Sequence, residues 1–287
     1  MIKKTERELK LEARIKALTA DKKQLKADQR VLHGQVRDLS KSKNVSIDEF
    51  NGDTHRFGII SDTHVGSLYD NQPLLEAAYD VFKNEGIKKV YHAGDLVDGE
   101  SMFPGHTYEI RLHGADAQAK EVIKTYPRRK GIHTDFITGS HDLSFYKRAG
   151  TDIAERIDEN RDDMTYLAPE CADIHLKGKG KRKCHIKMIH PGGGTAYALS
   201  YRGQKMIESF TGGEKPHILV TGHFHKAEFI PNYRNVAYIQ AGCTQDQTPF
   251  MMRKNIAAMQ GFWIAEIAFN KDGMANMKTQ FYPYFKK

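Results

Sequence analysis

The 287-residue sequence has little cysteine, a single tryptophan and no long apolar run, and these shortages exclude several classes of protein. Its three cysteines, Cys171, Cys184 and Cys243, are an odd number without CxxC spacing, so a disulfide framework is excluded. No stretch approaches the roughly 18–20 apolar residues that a bilayer span needs. The N-terminus is basic but lacks the apolar stretch of a secretory signal. We therefore expect a globular protein of the cytoplasm, with reduced thiols and no membrane partner.

The positive charge of the chain is concentrated at its N-terminal end. The whole sequence has 44 Lys and Arg against 36 Asp and Glu, a net charge of +8. Residues 1–44 hold 13 basic and 6 acidic residues, or +7, which leaves +1 for the remaining 243 residues. A smaller basic cluster lies at 177–183. Such segments supply sequence-independent contacts to nucleic-acid phosphates, although a solvated helix and a solvated turn explain them equally well.

Residues 1–44 show the apolar spacing of an amphipathic helix. Steps of four and three separate most of its apolar residues, and Lys22 and Gln29 interrupt the stripe. This pattern predicts a helical arm that forms a short coiled coil and pairs two chains, or a charged helix that is partly solvated. The polar run 40–44 predicts a linker, and we expect residues 45–287 to form the second domain. The apolar positions are Leu11, Ile15, Leu18, Leu25, Leu32, Val36 and Leu39.

Beyond His55, predicted strands alternate with predicted helices. Strands are expected at 56–61, 89–92 and 134–138, and helices at 73–85 and 115–126. This order favours right-handed crossovers and a mainly parallel sheet, which makes the fold class α/β. The later part of the chain is richer in predicted strands, at 173–176, 184–189, 218–221, 237–240, 262–268 and 278–282.

Side chains that can bind metals follow five of the predicted strands. Sites in open α/β sheets form beyond the carboxyl ends of strands, and Asp and His are the ligands that Mn, Fe, Zn or Ni would use. Each short motif alone is more typical of a surface or capping feature. Five motifs in order predict a dinuclear metal site, because burying so many carboxylates without a cation is costly. The motifs are Asp62/His64, Asp95/Asp98, Ser140/His141/Asp142, His190 and His223/His225.

The ordered motifs DxH, GDxxD, GSHD, an isolated His and GHFH resemble those of the calcineurin-like metallophosphoesterase superfamily. The resemblance covers roughly residues 55–245, and its narrower likeness is to phage and prokaryotic members. For a phage-encoded protein the expected location is the host cytoplasm. It implies two packed mixed β-sheets flanked by helices. It also implies two divalent ions, with Mn²⁺ expected and Fe, Zn, Ni or Mg as alternatives.

The resemblance also implies a role for each motif residue. His141 would contact the phosphate and protonate the leaving oxygen, with Asp142 or Asp62 orienting its ring. Asp98 would support the site from behind the ligands. The implied ligands are Asp62, His64 and His225 for one metal, Asp95 for both, and His190, His223 and Ser140 for the second.

Ser140 departs from the family pattern, which has Asn at this position. A neutral hydroxyl is shorter and a poorer ligand than an amide carbonyl. Either Ser140 coordinates through a water, or the second metal is held more weakly. Every other family ligand is present, so we expect an active enzyme.

The sequence indicates the reaction more clearly than the substrate. We expect a metal-dependent hydrolase of phosphodiester bonds, a phosphodiesterase of the nuclease type, with DNA or RNA as substrate. The alternatives are an enzyme of small phosphorylated molecules and a non-catalytic metal-binding scaffold. Candidate substrate contacts, each of which could equally be an ordinary loop residue, are His106, Tyr108, Arg111, Tyr197, Arg202, Lys181 and Arg182.

Overall fold

The computed structural model describes residues 45–180 and 183–285, together with Arg7, Arg14, Ile15, Leu18, Thr19 and Lys22. The chain divides into two units, Met1–Asn44 and Val45–Lys287. The six described residues of the first unit are helical. The coiled-coil prediction falls almost entirely outside the described residues and stays a prediction. Among the described residues, no helix combines the length and apolar character needed to cross a membrane.

The second unit contains two six-stranded sheets. Sheet I has the order β12-β11-β2-β3-β4-β5, in which β2 to β5 are parallel and β11 is antiparallel to both of its neighbours. Its strands are β2 Thr54–Ile60, β3 Lys89–His92, β4 His133–Thr138, β5 Met164–Pro169, β11 Gly261–Asn270 and β12 Gly273–Pro283.

Sheet II has the order β1-β6-β7-β8-β10-β9 and is also mixed. The pairs β1–β6, β7–β8 and β8–β10 are parallel, whereas β6–β7 and β9–β10 are antiparallel. Its strands are β1 Val45–Glu49, β6 Cys171–Lys177, β7 Lys183–Ile189, β8 Ile218–Thr221, β9 Ala227–Tyr233 and β10 Val236–Ala241.

Helices lie on the outer faces of the two packed sheets, as the resemblance implied. The α/β fold of two mixed sheets is confirmed, although neither sheet is as purely parallel as the early crossovers indicated. Three strands were not predicted, β1, β5 and β9, and four helices after residue 140 were also missed. The helices are α1 Gln72–Asn84, α2 Ala115–Thr125, α3 Leu143–Ala149, α4 Ile153–Asn160, α5 Tyr201–Ser209 and α6 Pro249–Arg253, with a 3₁₀ helix at His106–Tyr108.

The main core lies between the sheets. Phe57 and Ile59 of β2 share one buried cluster with Ile186 of β7 and Val220 of β8. A second cluster joins the other face of sheet I to α1, α2 and α4, and a third joins α5 to β8 and β10. Both faces of β2 and β3 are covered, and the buried residues 57–60 of β2 and 90–91 of β3 are consecutive and free of charge, which is typical of buried parallel strands.

A buried polar link joins the two sheets near β1. The hydroxyl of Tyr91, a fully buried residue of β3, donates to the carboxylate of Asp48 on β1. Lys89 Nζ lies 3.5 Å from Asp48 Oδ1 and 2.9 Å from Asp135 Oδ2. Burial, together with the charge of Asp48, raises the pKa of Tyr91 well above its usual value. The phenol therefore stays neutral and needs an acceptor.

We expect Asp48→Ala to lower the free energy of unfolding by about 1–3 kcal/mol, because it leaves a buried hydroxyl without its acceptor. Urea unfolding followed by circular dichroism measures this loss. Glu49→Ala, on an exposed position of the same strand, is the matched control and should change stability little. Equal stabilities of the two variants would contradict the role given to the Asp48–Tyr91 link.

Candidate metal centre

All five motifs lie at the carboxyl ends of strands that meet where the two sheets join. Strands β2, β3 and β4 of sheet I precede the first three motifs, and β7 and β8 of sheet II precede the last two. Ten described non-glycine residues have a positive φ, and five of them are candidate ligands. The left-handed backbone conformation is energetically costly for residues that have a Cβ. Five such residues at one place therefore indicate a functional site. The five are Asp62 (51°), His64 (45°), Asp95 (54°), His223 (78°) and His225 (52°).

The first group of ligand atoms comes from Asp62, His64 and His225. Nε2 of His225 lies 3.3 Å from Asp62 Oδ1 and 3.2 Å from Nε2 of His64. Two imidazole nitrogens at this distance need a proton or a cation between them, since their lone pairs otherwise repel. Asp62 also accepts the backbone N–H of His223 at 3.0 and 3.1 Å, so one carboxylate ties the two sheets together at the site.

The second group consists of Asp95, His190 and His223. His190 Nδ1 donates to the backbone oxygen of Ala93 at 2.8 Å, and its Nε2 lies 3.0 Å from Asp95 Oδ2. His223 Nε2 donates to the backbone oxygen of Gly193 at 2.7 Å, which leaves Nδ1 as the ring atom able to bind a cation. Carbonyl acceptors of this kind set the tautomer and orientation of metal-binding imidazoles.

Asp95 is shared between clusters, because it also groups with His64 and His141. Its Oδ1 accepts the backbone N–H of His141 at 2.8 Å, and its Oδ2 lies 4.0 Å from His64 Nε2. A carboxylate that faces both ligand groups is suited to bridge two cations. Gly139 permits this approach, since a Cβ at that position would lie 2.2 Å from Asp95 Oδ1.

The electrostatics of these buried groups favour bound positive charge. Burial opposes ionisation of Asp95, but the neighbouring His190 outweighs it and holds the pKa of Asp95 well below its usual value. Burial opposes protonation of His190, yet the charge of Asp95 raises the pKa of His190 to about 9. The carboxylates therefore remain ionised and attract a cation to the imidazole nitrogens beside them. The donor set, nitrogen plus carboxylate oxygen, suits first-row divalent metals.

The ring of His141 is oriented differently from the prediction. Its Nδ1 contacts the backbone oxygen of Asp98, and neither Asp142 nor Asp62 is the orienting group. The Asp142 carboxylate is instead held by three backbone N–H groups, those of Leu96, Val97 and Gly139, at 2.7–3.2 Å. Asp142 therefore fixes the two loops that carry Asp95 and His141. Burial, with the nearby charge of Asp95, raises the pKa of Asp142 to about 7.

Asp98 lines the cavity and contacts two of its histidines. Its Oδ1 is 3.3 Å from His64 Nδ1, and its Oδ2 is 3.4 Å from His106 Nε2. Gln245 Nε2 donates to the same carboxylate at 3.4 Å. The contact with Nδ1 directs the opposite ring atom of His64, Nε2, toward Asp62 and Asp95.

A cavity of about 280 Å³ opens over the ligand groups. Ser140 and His106 line it, together with His64, Asp95 and His141. His106 is buried and its Nδ1 accepts the backbone N–H of Met102 at 3.3 Å. Among the described residues that line the cavity there is no Lys or Arg, so its charged side chains are the acids Asp95, Asp98 and Glu109, besides histidines.

The other predicted substrate contacts that lie in the described residues are not part of the cavity lining. Tyr108 and Tyr197 are exposed, because the first ends a surface 3₁₀ turn and the second lies in an irregular loop. Arg111 pairs with Asp70 and Glu121, at 2.7 and 3.1 Å. Arg202 donates to the backbone oxygen of Gly192 at 2.7 Å and lies over the ring of Phe224. Lys181 and Arg182 lie outside the described residues.

The segment 243–256 supplies cavity residues that none of the sequence motifs indicated. Gln245, Thr248, Phe250, Met251 and Ile256 all line the cavity. The backbone N–H groups of Thr244 and Gln245 donate to the backbone oxygen of Asp62, each at 3.3 Å. This long-range contact carries no local motif, and only Phe250, an aromatic beside a proline, stands out in the sequence.

A family model for the calcineurin-like phosphoesterase superfamily domain matches residues 56–252. The chain belongs to this superfamily. Members of the superfamily depend on metals, in keeping with the ligand groups found here.

Two curated relatives are similar over much of the chain. The DNA polymerase II small subunit of Methanothermobacter thermautotrophicus is 26% identical over 70% of this chain and 50% of its own length. That of Halobacterium salinarum is 24% identical over 69% of this chain and 45% of its own length. The chain thus spans about half the length of the curated relatives it matches.

Among solved structures, a Streptococcus pneumoniae protein described as a predicted phosphoesterase is similar to this chain. The similarity covers 80% of this chain and 98% of the other, with 14% identity and a TM-score of 0.36.

We expect Asp95→Ala to lower the content of bound divalent metal more than His225→Ala or His223→Ala, because Asp95 faces both ligand groups and each histidine faces one. Elemental analysis after dialysis against Mn²⁺ measures this content. Asp272→Ala, in an exposed turn, is the control and should bind metal like the unmodified protein. Undiminished metal in Asp95→Ala would rule out its shared role.

Proposed function

We propose that this metallophosphoesterase is a hydrolase that cleaves phosphodiester bonds with two divalent metals, Mn²⁺ by preference, and that its substrate is a nucleic acid. The observation that carries the proposal is the pair of ligand groups sharing Asp95 at the floor of an open cavity, with His141 beside them. Asp62, His64, Asp95 and His225 would hold one metal, and Asp95, His190 and His223 the other. Ser140 lines the same cavity and is the further candidate ligand, directly or through a water.

When bound, the metals would supply Lewis-acid activation of a water and would neutralise charge on the phosphate oxygens. The protein contributes the proton donor. Burial, opposed by the charge of Asp95, lowers the pKa of His141 to about 4 in the free protein, so its ring is neutral near pH 7. Because Nδ1–H faces the Asp98 carbonyl, the neutral ring leaves Nε2 unprotonated. An anionic phosphate in the cavity favours the imidazolium, whose Nε2–H can then be donated to the leaving oxygen.

The lack of Lys and Arg among the described residues of the cavity lining favours a phosphodiester substrate over a phosphomonoester. A monoester is a dianion near pH 7, whereas each phosphodiester carries one negative charge. With no Lys or Arg among its described lining residues, the cavity offers little protein charge for a dianion. The two DNA polymerase subunits among the relatives support a polynucleotide as the diester.

The name of these relatives also supports a second candidate, a subunit that binds metal and a protein partner without turnover. Incubation with Mn²⁺ and bis-p-nitrophenyl phosphate, p-nitrophenyl phosphate, and single- and double-stranded DNA and RNA separates the candidates. Cleavage of the diester and of a polynucleotide supports the proposed function. Cleavage of the monoester alone contradicts it, and metal binding without any cleavage supports the subunit.

We expect His141→Ala to retain its metals while phosphodiester turnover falls about 10²–10⁴-fold, the usual contribution of general-acid catalysis. Parallel measurement of kcat and of metal content separates this loss from damage to the site. His113→Ala, a half-exposed histidine away from the cavity, is the matched control and should be fully active. Turnover within threefold of the unmodified protein would show that another group donates the proton.

We also propose that the protein acts in the cytoplasm, where its free cysteines stay reduced.

The basic segment 1–44, we further propose, adds affinity for nucleic acid. Replacing Lys22, Lys23 and Lys26 with Gln should weaken polynucleotide binding and flatten its dependence on salt, since fewer counterions are released. Turnover of bis-p-nitrophenyl phosphate should not change. Lys83, Lys88 and Lys130 are exposed in the second unit, and their replacement with Gln is the charge-matched control. Equal effects of the two triple variants would contradict a specific role for the segment.

A further inference from the structure

One side of the cavity is apolar, in contrast to its acidic and histidine-rich floor. Five side chains, which we call the apolar wall, line this side: Met102, Phe103, Phe250, Met251 and Ile256. The rings of Phe103 and Phe250 are stacked, with centroids 4.0 Å apart and planes inclined by 20°. Both rings are only partly buried, so the wall keeps apolar area open to a ligand.

The wall is assembled from two segments distant in sequence and is held in place by hydrogen bonds. Glu109 Oε1 accepts the backbone N–H of Phe250 at 3.0 Å. Thr248 caps the short helix α6 by accepting the backbone N–H of Met251 at 3.2 Å. The wall is therefore a built surface rather than a chance contact between two loops.

The wall lies close to the groups that would handle the phosphate. Phe103 contacts the ring of His106 with centroids 4.7 Å apart, and His106 contacts the ring of His141 at 5.4 Å. If the phosphate of a ligand lies over the acidic and histidine-rich floor of the cavity, the chemical group attached to that phosphate would lie against the apolar wall. The wall presents stacked aromatic rings and thioethers, so it suits a group that is flat and has an apolar face.

We propose that the apolar wall binds the base of an unpaired nucleotide whose phosphodiester lies over His64, Asp95 and His141. The inference rests on the proposed function and makes single-stranded nucleic acid, or a frayed end, the preferred substrate. Bases stack on aromatic side chains without regard to sequence, whereas a base inside a duplex is already stacked on both sides. Phe103 and Phe250 are thus specificity-determining residues, which act on substrate binding rather than on the chemical step.

The test compares a thymidine pentanucleotide with the same backbone in which every base is replaced by an abasic tetrahydrofuran unit. For the Mn²⁺-loaded full chain, we expect KM and the calorimetric Kd to be about 5- to 150-fold lower for the intact strand, the range that stacking of one base supplies. Phe250→Ala and Phe103→Ala should remove this difference by weakening the intact strand alone, with kcat unchanged. Phe250→Tyr should keep it.

Phe285→Ala removes an exposed aromatic side chain outside the cavity lining and is the control, which should keep the preference for bases. If Phe250→Ala fails to fold, Phe250→Leu retains apolar bulk without a ring and should show the same loss. Equal affinity of the unmodified protein for both strands, or an unchanged preference in the alanine or leucine variants, would overturn the proposal. Base-dependent binding without any cleavage would uphold the wall and refute the proposed function instead.

Discussion

The buried carboxylates of Asp62 and Asp95 impose the constraint on which the rest of the site depends. Both side chains are almost completely removed from solvent, yet both remain ionised because imidazoles surround them. Isolated negative charge in such a place is costly, so the arrangement is stable only with positive charge between these groups. Protonated histidine provides some of this charge in the absence of metal, as the raised pKa of His190 shows. A divalent cation provides more charge and satisfies several ligands at once.

The two sheets share this constraint. Sheet I supplies Asp62, His64 and Asp95, whereas sheet II supplies His190 and the GHFH loop. The Asp62 carboxylate accepts the backbone N–H of His223, so the same group that attracts a cation also fixes the distance between the sheets. The left-handed backbone conformation of the loops that carry Asp62 and His223 is tolerated because the paired strands next to these loops fix the path of the chain. Stability and ligand geometry are thus coupled at the strand ends.

The cavity combines two surfaces of opposite chemistry. Its floor is polar and suited to phosphate with metals, and its wall is apolar and suited to the face of an aromatic ring. His106 connects them, since it contacts Asp98 on one side and Phe103 on the other. Under the proposed function, phosphate chemistry and substrate selection would be carried by different residues, so that each could be changed separately by mutation.

The order of the motifs and the short strands before them could be predicted from the sequence, because buried parallel strands are apolar runs that end abruptly in polar residues. Lys89–His92 and Ile218–Thr221 were predicted with the bounds observed. Strand β1 was missed because its apolar and polar residues alternate weakly over only five positions, and it is held partly by the Asp48–Tyr91 link. Phe250 and Gln245 were missed because no motif around them indicates that their loop reaches a distant site.

The sequence alone determined the chemistry of this protein: which side chains could bind metals, and that they follow strand ends in a fixed order. Only the tertiary structure decided what each side chain faces. It turned Asp142 toward three backbone N–H groups, placed the Asp98 carbonyl beside His141, and brought Phe103 and Phe250 into one stack. The physical reason is that residue type sets what a group can bind, whereas strand order and loop paths, which depend on long-range pairing and packing, set its neighbours.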